Sequence, residues 1–475
     1  MSDCCATENT SPDILVIGAG SAGFSAAITA AEAGAQVVVV GEGTIGGTCV
    51  NVGCVPSKNL IRATESLHKA TIANRFSGIE ASSTLVNWQA LVEQKQALVD
   101  DLRKAKYEDL LPEYPAISYV AGQAQFTGDN IEIAVGDTRY KPKKVIIATG
   151  SSSALPPING MQDVPVLDST TALELDTLPE SLLIIGGGVI GCELGSMFSR
   201  AGVAVTLCCR SHLLPDTEPE ISAALADILR GEGVTVYEGV GYQQIESRDN
   251  RIVLTCDREQ GQTQINAEKL LVASGRKPNT EALKLNLVGI EQAGRGGIIA
   301  DTFMQTTNPN VYAVGDVTGQ DMFVYMAAYG GKLAARNALG GNTNAYDNST
   351  MPAVVFTDPQ VATAGLSEAT AREQGFDVKT SVITLDNVPR FIAARETAGL
   401  IKLVADTKTD KLLGAAILAP EAGDLIQTVV MSLKGGLTTR DLGDTIFPYL
   451  TGVEGLKLAA QSFGKDVKKL SCCAG

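Results

Sequence analysis

The sequence has 475 residues, more than a single hydrophobic core usually organises, so we expect two to four domains. Its formal net charge of −15, with no basic stripe, argues against binding to nucleic acid phosphates or to anionic membranes. No run of about 18 apolar residues could span a bilayer, and the N-terminus lacks the positive region of a secretory signal. We therefore predict a cytoplasmic protein whose ten cysteines are mostly reduced thiols.

The first predicted elements form a dinucleotide-binding unit. A buried strand at 14–17 is followed by Gly18, Gly20 and Gly23, an alanine-rich helix and a second strand. The glycines permit a tight turn, a close approach of phosphate to the backbone, and packing of helix on strand. Glu42 follows Gly23 by 19 residues, which is the spacing of a carboxylate that binds ribose hydroxyls. We predict that this unit holds FAD or NAD.

A glycine-rich cysteine pair comes next, in the stretch "GGTCVNVGCVPSK". Cys49 and Cys54 are five residues apart, so they could form a disulfide only if the backbone between them is irregular. Cys54 is predicted near the start of a helix, where partial positive charge stabilises a thiolate. The alternative, two unrelated core cysteines, fits poorly with the surrounding glycines and Pro56.

A second dinucleotide-binding unit repeats the pattern, with Gly186, Gly188 and Gly191 between a strand and a helix. Arg210 stands where Glu42 stands in the first unit, 19 residues after the third glycine. An arginine there suits the extra phosphate of NADP, so this unit is predicted to hold NADPH. Arg210 could alternatively be a solvated loop charge. Two such sites in one chain indicate electron transfer from one cofactor to another.

These motifs resemble those of the disulfide-reductase flavoenzymes, class I of the pyridine nucleotide-disulfide oxidoreductase family. "VIIATG", "LLVASGRKPNT" and "NVYAVGDVTG" extend the resemblance over almost the whole chain. It implies an α/β fold with two Rossmann-like dinucleotide-binding domains and an α+β C-terminal dimerisation domain. The implied segments are an FAD-binding domain at 1–155 and 275–345, an NADPH-binding domain at 156–274, and a dimerisation domain with a Cys-Cys tail at 346–475.

The resemblance also implies roles for individual residues. Cys54 would face the flavin and Cys49 would exchange with substrate. Lys58 would lie beside flavin N5 with Glu193 as its ion-pair partner, although each alone would be interpreted as a surface charge. Further cofactor-binding positions implied in this way are Gly43, Gly47, Thr48, Ala124, Thr149, Gly150, Arg276, Asp316 and Val324.

The C-terminal region departs from most of the family. Disulfide reductases use a histidine there to protonate the departing thiolate, but the only histidines are His68 and His212. "FPYLTGVEG" places Tyr449 in this neighbourhood, and the chain ends in "SCCAG", with Cys472 and Cys473. These departures resemble the mercuric reductase branch of the family, in a form without the N-terminal metal-binding domain.

The resemblance implies a homodimer that reduces Hg(II) to Hg(0) with NADPH through FAD and the Cys49/Cys54 pair. Cys472 and Cys473 of the partner subunit would capture small thiol-bound Hg(II), so the four cysteines would be the metal ligands. Thiolates are the ligands that a soft ion such as Hg(II) prefers. Tyr449 would line the transfer path or be a packed interface tyrosine.

Some features do not fit this reading fully. NADPH-using relatives usually carry a second basic residue where this chain has Asp216, so use of NADH stays open. Cys4 and Cys5 are either a residual ligand pair or a non-functional tail. We expect Cys192 and Cys256 to be buried core thiols, and Cys208 and Cys209 to be strand residues without a function.

Two other functions are alternatives to this one. A thioredoxin-reductase-like or other disulfide reductase would use Cys472–Cys473 as a redox relay, but the missing histidine argues against it. A thiol-rich metal-sequestering protein without turnover would not need two complete dinucleotide motifs.

Overall fold

The computed structural model describes residues 10–128, 130–259 and 261–465. In chain order its helices are α1 Ser21–Glu32, α2 Gly47–Asn51, α3 Cys54–Thr71, α4 Trp88–Arg103, α5 Ser169–Ala172, α6 Val189–Arg200, α7 Pro219–Gly231, α8 Val324–Gly340, α9 Glu368–Glu373, α10 Pro389–Ala394, α11 Ala422–Gly435, α12 Thr439–Asp444 and α13 Glu454–Gln461. Short 3₁₀ turns and one described π-helical turn, Lys104–Glu108, connect some of them.

The strands are, in chain order, β1 Ile14–Ile17, β2 Val37–Gly41, β3 Ile117–Ala121, β4 Ala124–Phe126, β5 Ile133–Val135, β6 Thr138–Tyr140, β7 Lys144–Ile147, β8 Ser151–Ser153, β9 Ser181–Ile185, β10 Ala204–Cys208, β11 Thr235–Tyr237, β12 Gly241–Arg248, β13 Arg251–Arg258, β14 Gly261–Ala267, β15 Lys269–Val272, β16 Arg276–Pro278, β17 Val311–Ala313, β18 Pro352–Val355, β19 Gln360–Gly365, β20 Val378–Thr384, β21 Leu400–Asp406 and β22 Leu412–Ala419.

The chain divides into two compact units. The first comprises the residues up to Ser57 together with Glu93–Ala154 and Arg276–Asp347. The second comprises Lys58–Val92, Leu155–Gly275 and the residues from Asn348 onward. The finer division into four segments drawn from the sequence stays a prediction.

The first unit is built on a parallel sheet with the strand order β17-β7-β1-β2-β3. β1 and β2 are continuous apolar runs that are buried along their whole length, as expected for strands covered on both faces. Ile14 pairs with Val37 and Ile17 with Val40. This register puts the first glycine turn at the carboxyl end of β1, where open α/β sheets bind ligands.

The second unit repeats this arrangement and adds an antiparallel sheet. β11-β10-β9-β15 is the parallel sheet, with β9 leading through the second glycine turn into α6. β18-β19-β22-β21-β20 is the antiparallel sheet, which α11 covers. The two parallel sheets and this C-terminal sheet confirm the predicted α/β class.

A buried lysine lies in β21, the strand next to the edge strand β20 of the antiparallel sheet. The side chain of Lys402, in β21, is only 2% exposed. Its ammonium contacts Glu218 at 2.8 Å, Glu368 at 2.9 Å and Glu220 at 3.0 Å. Burial opposes the charge on Lys402, but hydrogen bonds to the three carboxylates raise its pKa above the ordinary value. This cluster ties the start of α7 to β21 and α9 within the second unit.

None of the helices in the described ranges is long and apolar enough to cross a membrane.

Candidate active site

The first glycine turn leaves no room for a side chain at Gly18 or Gly23. Gly18 has φ +119°, and a Cβ there would lie 2.2 Å from the carbonyl oxygen of Ala148. A Cβ on Gly23 would lie 1.9 Å from the carbonyl oxygen of Gly18. The N-cap of α1 is Gly20, and no side chain caps the helix there. The amide groups of the first turn therefore stay available to an anion, as pyrophosphate binding requires.

Glu42 lies directly after β2 and its side chain is exposed. Gln123 Nε2 is 3.4 Å from Glu42 Oε1. Gly43 has φ +76°, and no atom lies within 4 Å of a Cβ built there. The space around this turn is open, which suits a ribose bound to the carboxylate.

A hydrogen-bonded network fixes Asp316 near the same sheet edge. Asp316 lies in the turn after β17, and Ser151 Oγ donates to its Oδ2 at 2.7 Å. Arg276 in turn donates through Nε to Ser151 Oγ at 2.7 Å and through a terminal nitrogen to the Ser151 carbonyl at 2.6 Å. The sequence motifs supplied Asp316 and Arg276, but Ser151, which joins them, was not predicted.

Further predicted positions of this unit lie in a turn and at the first residues of a strand and a helix. Thr149 and Asn279 hold the β7–β8 turn, because Thr149 Oγ1 donates to the Asn279 carbonyl at 2.7 Å. Gly150 has φ +70° in that turn. Ala124 is buried at the start of β4, and Val324 is the first residue of α8, whose N-cap Phe323 makes no side-chain cap.

The cysteine pair lies in two helices separated by a break, and Cys54 is at the start of a helix, as predicted. Cys49 lies in α2, which ends at Asn51, and Cys54 is the first residue of α3. Gly47 has φ +67°, and a Cβ there would lie 2.6 Å from the Cα of Gly20. The cysteine segment thus packs directly on the first glycine turn. Cys54 lies at the positive end of an 18-residue helix, which favours its thiolate.

A side-chain network holds the helix that carries Cys49. Asn51 donates to the carbonyl groups of Ile45 and Gly47, both at 2.9 Å. Arg103 donates to Asn51 Oδ1 at 3.2 Å. These hydrogen bonds therefore hold α2 in place, and they keep the cysteine segment packed against the first glycine turn.

Tyr107 is a site residue that the sequence did not reveal. It lies in the π-helical turn after α4, with its ring 4.8 Å from that of Phe24 and its hydroxyl 3.3 Å from Ser21 Oγ. Burial raises the pKa of the Tyr107 hydroxyl and the neighbouring Cys49 and Cys54 raise it further, whereas Ser21 lowers it. The hydroxyl therefore stays protonated beside the cysteines and can act as a hydrogen-bond donor there.

Tyr325, in the first turn of α8, is a second tyrosine beside this pair. It is 40% exposed, and its ring stacks on Phe323 at 5.4 Å. Burial raises the pKa of its hydroxyl, as do Asp321 and Cys54. Both tyrosines lie outside the motifs quoted above, so no pattern in this single sequence marks them as neighbours of the cysteines.

Lys58 and Glu193 form the predicted ion pair in the second unit. Lys58 Nζ lies 2.7 Å from Glu193 Oε2, and the Glu193 side chain is only 4% exposed. The backbone N–H of Phe356 donates to the other carboxylate oxygen at 2.9 Å, and Lys58 lies over the Phe356 ring at 4.9 Å. Glu193 is therefore held as a buried, fully partnered carboxylate, which fixes the position of the lysine.

The second glycine turn copies the first. Gly186 has φ +125°, and a Cβ on Gly191 would lie 1.9 Å from the Gly186 carbonyl oxygen. The N-cap of α6 is Gly188, which no side chain caps and which has open space where a Cβ would be. Arg210 follows β10, is exposed, and has no ion-pair partner among the described residues. His212 contacts the Leu213 carbonyl and Ser222, both at 3.2 Å.

The predicted site residues of the C-terminal region fall only partly within the described ranges. Tyr449 is 56% exposed in a turn that precedes α13. Cys472 and Cys473 lie outside the described residues, as do Cys4 and Cys5. Within the described ranges, no cluster of three or more potential ligand side chains could hold a metal ion.

The other four described cysteines are buried, which confirms the predicted core thiols Cys192 and Cys256; of the two predicted strand cysteines, Cys208 ends β10 and Cys209 follows it. Cys192, Cys208 and Cys256 are inaccessible to solvent, and Cys209 is 5% exposed. Burial raises the pKa of each thiol, to about 11 for Cys209. Such thiols are unreactive, so these four cysteines are not candidates for catalysis.

Comparison with known proteins places the chain in one family. Residues 12–331 match the family model described as pyridine nucleotide-disulphide oxidoreductase, and residues 351–460 match its dimerisation domain. The chain is 46% identical over 466 residues to the mercuric reductase of Lysinibacillus sphaericus, covering 98% of this chain and 84% of that one. It is 45% identical over 471 residues to that of Streptomyces lividans, covering 98% and 99%.

A solved structure gives the same result. The HOCl-induced flavoprotein disulfide reductase RclA from Escherichia coli superposes with a TM-score of 0.83 at 31% identity. The match covers 95% of this chain and 100% of that chain. The resemblance stated from the motifs is therefore confirmed, together with the C-terminal dimerisation domain. The chain belongs to the pyridine nucleotide-disulphide oxidoreductase family.

Proposed function

We propose that this chain catalyses the NADPH-dependent reduction of Hg(II) to Hg(0). The observation that carries the proposal is the absence of any histidine after His212. A disulfide reductase must protonate the thiolate that leaves its substrate, whereas a metal ion that leaves as a neutral atom needs no such donor. The similarity to relatives named mercuric reductase supports the same conclusion.

The residues of the first unit fit FAD. Gly18 and Gly23 leave no room for side chains, and the uncapped first turn of α1 offers amide donors to a pyrophosphate. Glu42 would hold the adenosine ribose, and Asp316, fixed by Ser151, would hold the ribityl chain. FAD, when bound, supplies two-electron transfer between a nicotinamide and a thiol pair.

The residues of the second unit fit NADPH. The uncapped N-terminus of α6 would receive the pyrophosphate, and the exposed Arg210 would contact the 2′-phosphate. No carboxylate in the described ranges competes for this guanidinium. We therefore propose a preference for NADPH over NADH that rests mainly on Arg210.

The cysteine pair would bind the metal ion. Hg(II) prefers thiolates, and the N-terminus of α3 favours the thiolate form of Cys54. The Tyr107 hydroxyl, which burial keeps protonated, would donate a hydrogen bond to a sulfur of the pair. Lys58, positioned by Glu193, would contribute a fixed positive charge to the site of electron transfer.

The overall reaction balances with one proton taken from solvent. NADPH, a bis-thiolate complex of Hg(II) and one proton give NADP⁺, Hg(0) and two thiols. The hydride of NADPH supplies the two electrons that the metal takes up. No alkyl disulfide is cleaved, so the reaction is consistent with a C-terminal region that lacks a histidine.

We further propose that the active site is shared in a homodimer. The dimerisation-domain match at 351–460 supports a dimer. Cys472 and Cys473 of the partner subunit would capture thiol-bound Hg(II) and pass it to Cys49 and Cys54, with the exposed Tyr449 of the partner subunit along the path.

The second candidate is a disulfide reductase. The similarity to the E. coli flavoprotein disulfide reductase at 31% identity favours it. It would have to protonate the leaving thiolate with a group other than histidine, and Tyr107 is the candidate within the described residues because its hydroxyl stays protonated beside the cysteines.

A substrate comparison tests the proposal. The FAD-loaded protein is supplied anaerobically with NADPH and either HgCl₂ in excess small thiol, or glutathione disulfide, or an aromatic disulfide. We expect sustained NADPH oxidation only with Hg(II). Turnover of a disulfide with none of Hg(II) would refute the proposal and support the second candidate.

The tail is tested separately with Cys472→Ala/Cys473→Ala. We expect the variant to reduce thiol-bound Hg(II) at least tenfold more slowly while its flavin is still reduced by NADPH at the wild-type rate. Equal rates of Hg(II) reduction in both proteins would show that the tail does not capture the ion.

A further inference from the structure

The second unit contains a cavity rich in charged side chains, of which the proposed function uses Lys58 alone. Its volume is about 310 Å³, at the lower end of the range for small-molecule sites. Cationic side chains come to it from α3, from the turn after α3 and from α10; they are Lys58, Arg62, Lys69, Arg75 and Arg390. Four carboxylates also line it, Glu65, Asp358, Glu396 and Glu421, so the five cations leave the lining with a formal charge of +1.

The acids that line the cavity are already partnered. Arg62 donates to Glu65 at 2.7 Å and to both oxygens of Glu421 at 2.9 and 2.8 Å. Glu396 accepts from Arg75 at 2.7 Å, and Asp358 accepts from Arg200, which lies outside the lining, at 3.1 Å. Lys69 also pairs with Glu65, and Lys58 pairs with Glu193 at 2.7 Å, so Arg390 is the lining cation that has no ion pair among the described residues.

Two arginines have N–H donors for which the described part of the chain provides no acceptor. Arg390, in the first turn of α10, is half-buried and has no ion pair within the described ranges. The Nε–H of Arg75 is buried and lacks a hydrogen-bond acceptor in the same part of the chain. A buried donor without an acceptor costs about 1–3 kcal/mol, so such donors are normally satisfied by a ligand or by water.

We propose that this cavity binds a small oxyanion, of the class of inorganic phosphate or sulfate, with Arg390 as its main anchor. A planar guanidinium donates two parallel hydrogen bonds to an oxyanion, which is the pairing that Arg390 has available. The half-buried position of the guanidinium strengthens the charge-assisted bonds relative to those at a fully exposed site. The lining contains no residue of either glycine turn but does contain Lys58, so the test avoids Lys58.

Isothermal titration of inorganic phosphate into the FAD-loaded full-length protein tests the proposal, at constant ionic strength set with chloride. We expect saturable binding of one phosphate per chain at this site, weakened at least about tenfold by Arg390→Gln and partly restored by Arg390→Lys. Arg440→Gln removes an exposed arginine of α12 in the same unit and should leave the affinity unchanged.

Phosphate also fits the proposed NADPH site, so Arg210→Gln is titrated in parallel. Phosphate binding that persists in Arg210→Gln and is lost in Arg390→Gln supports the cavity. Three results would overturn the proposal. They are loss of phosphate binding in Arg210→Gln instead of Arg390→Gln, equal phosphate affinity in wild type and Arg390→Gln, and no saturable binding of phosphate by the wild type. The ³¹P linewidth of inorganic phosphate provides a second readout if Arg390→Gln is less stable than the wild type.

Discussion

Replacing Lys402 by methionine should destabilise the second unit strongly. The substitution keeps the length of the side chain but removes the ammonium from a site where Lys402 is 2% exposed and Glu218 is 5% exposed. Within the described residues, the Glu218 carboxylate would retain one hydrogen-bond donor, the backbone N–H of Glu368 at 2.7 Å. Removing one partner of a buried ion pair costs about 3–5 kcal/mol because the other charge is left buried.

The lower end of this range applies to Lys402→Met. Glu220 and Glu368 are 44% and 29% exposed, so both can turn toward water when the lysine is lost. A loss of about 3 kcal/mol corresponds to a fall in Tm of roughly 6–12 °C for a unit of this size. The cost arises from Glu218, so Lys402→Met/Glu218→Gln should recover most of it.

Urea unfolding of the FAD-loaded protein, followed by circular dichroism, measures the effect. Lys434→Met removes an exposed lysine of α11 and serves as the control, with an expected loss below about 1 kcal/mol. A loss for Lys402→Met no larger than that of the control would refute the reasoning, and so would a double variant that is less stable than Lys402→Met.

The same cluster predicts a pH dependence. Hydrogen bonds from Lys402 and then Arg372 lower the pKa of Glu368 below its ordinary 4.5. The contribution of Glu368 to the folding stability is fully present above the pKa of its carboxyl in the unfolded chain. It is lost as the pH falls through the lower pKa of the folded state. The raised pKa of Lys402 acts in the opposite sense, because its contribution is present below 10.5 and is lost only as the pH rises above that value. The difference in stability between wild type and Lys402→Met should therefore be constant between about pH 5 and 10 and shrink below about pH 4.5.

Three further substitutions test the proposed sites. Ser151→Ala removes the hydroxyl that joins Arg276 to Asp316, and it should weaken FAD binding about tenfold, measured by the fluorescence of released flavin. Tyr107→Phe keeps the packing but removes the hydroxyl beside the cysteines, so turnover should fall at least tenfold while the free energy of unfolding changes by less than about 1 kcal/mol; unchanged turnover would remove Tyr107 from the site. Arg210→Gln should raise the KM for NADPH about tenfold and leave that for NADH within about twofold, whereas an equal change for both coenzymes would contradict the assignment.

The local features of the fold could be predicted from sequence because short-range rules determine them. Gly18 has a positive φ, and Gly23 lies close to the backbone of Gly18. The spacing of the glycines in the sequence predicts both features. The break between α2 and α3 was expected from the five-residue spacing only on the condition that Cys49 and Cys54 form a disulfide. The pairing of Lys58 with Glu193, across 135 residues, came instead from the family resemblance.

The features that the sequence did not reveal depend on tertiary contacts. Tyr107 lies beside the cysteines because a π-helical turn after α4 brings it there. The spacing of apolar residues in the sequence does not predict such a turn. The carboxylates around Lys402 come from segments up to 184 residues away. Arg390 looks like any surface arginine until the partners of the neighbouring acids are known. One sequence without its contacts gives no sign of which charges are left over.

The most direct test of the account is the yield of Hg(0) for each NADPH oxidised. Thiol-bound Hg(II) is supplied to the FAD-loaded protein under anaerobic conditions, and the mercury vapour is trapped and measured alongside NADPH absorbance. We predict one Hg(0) for each NADPH, and no Hg(0) from Cys49→Ala/Cys54→Ala. NADPH oxidation without mercury vapour, or equal Hg(0) release by the variant, would contradict this prediction.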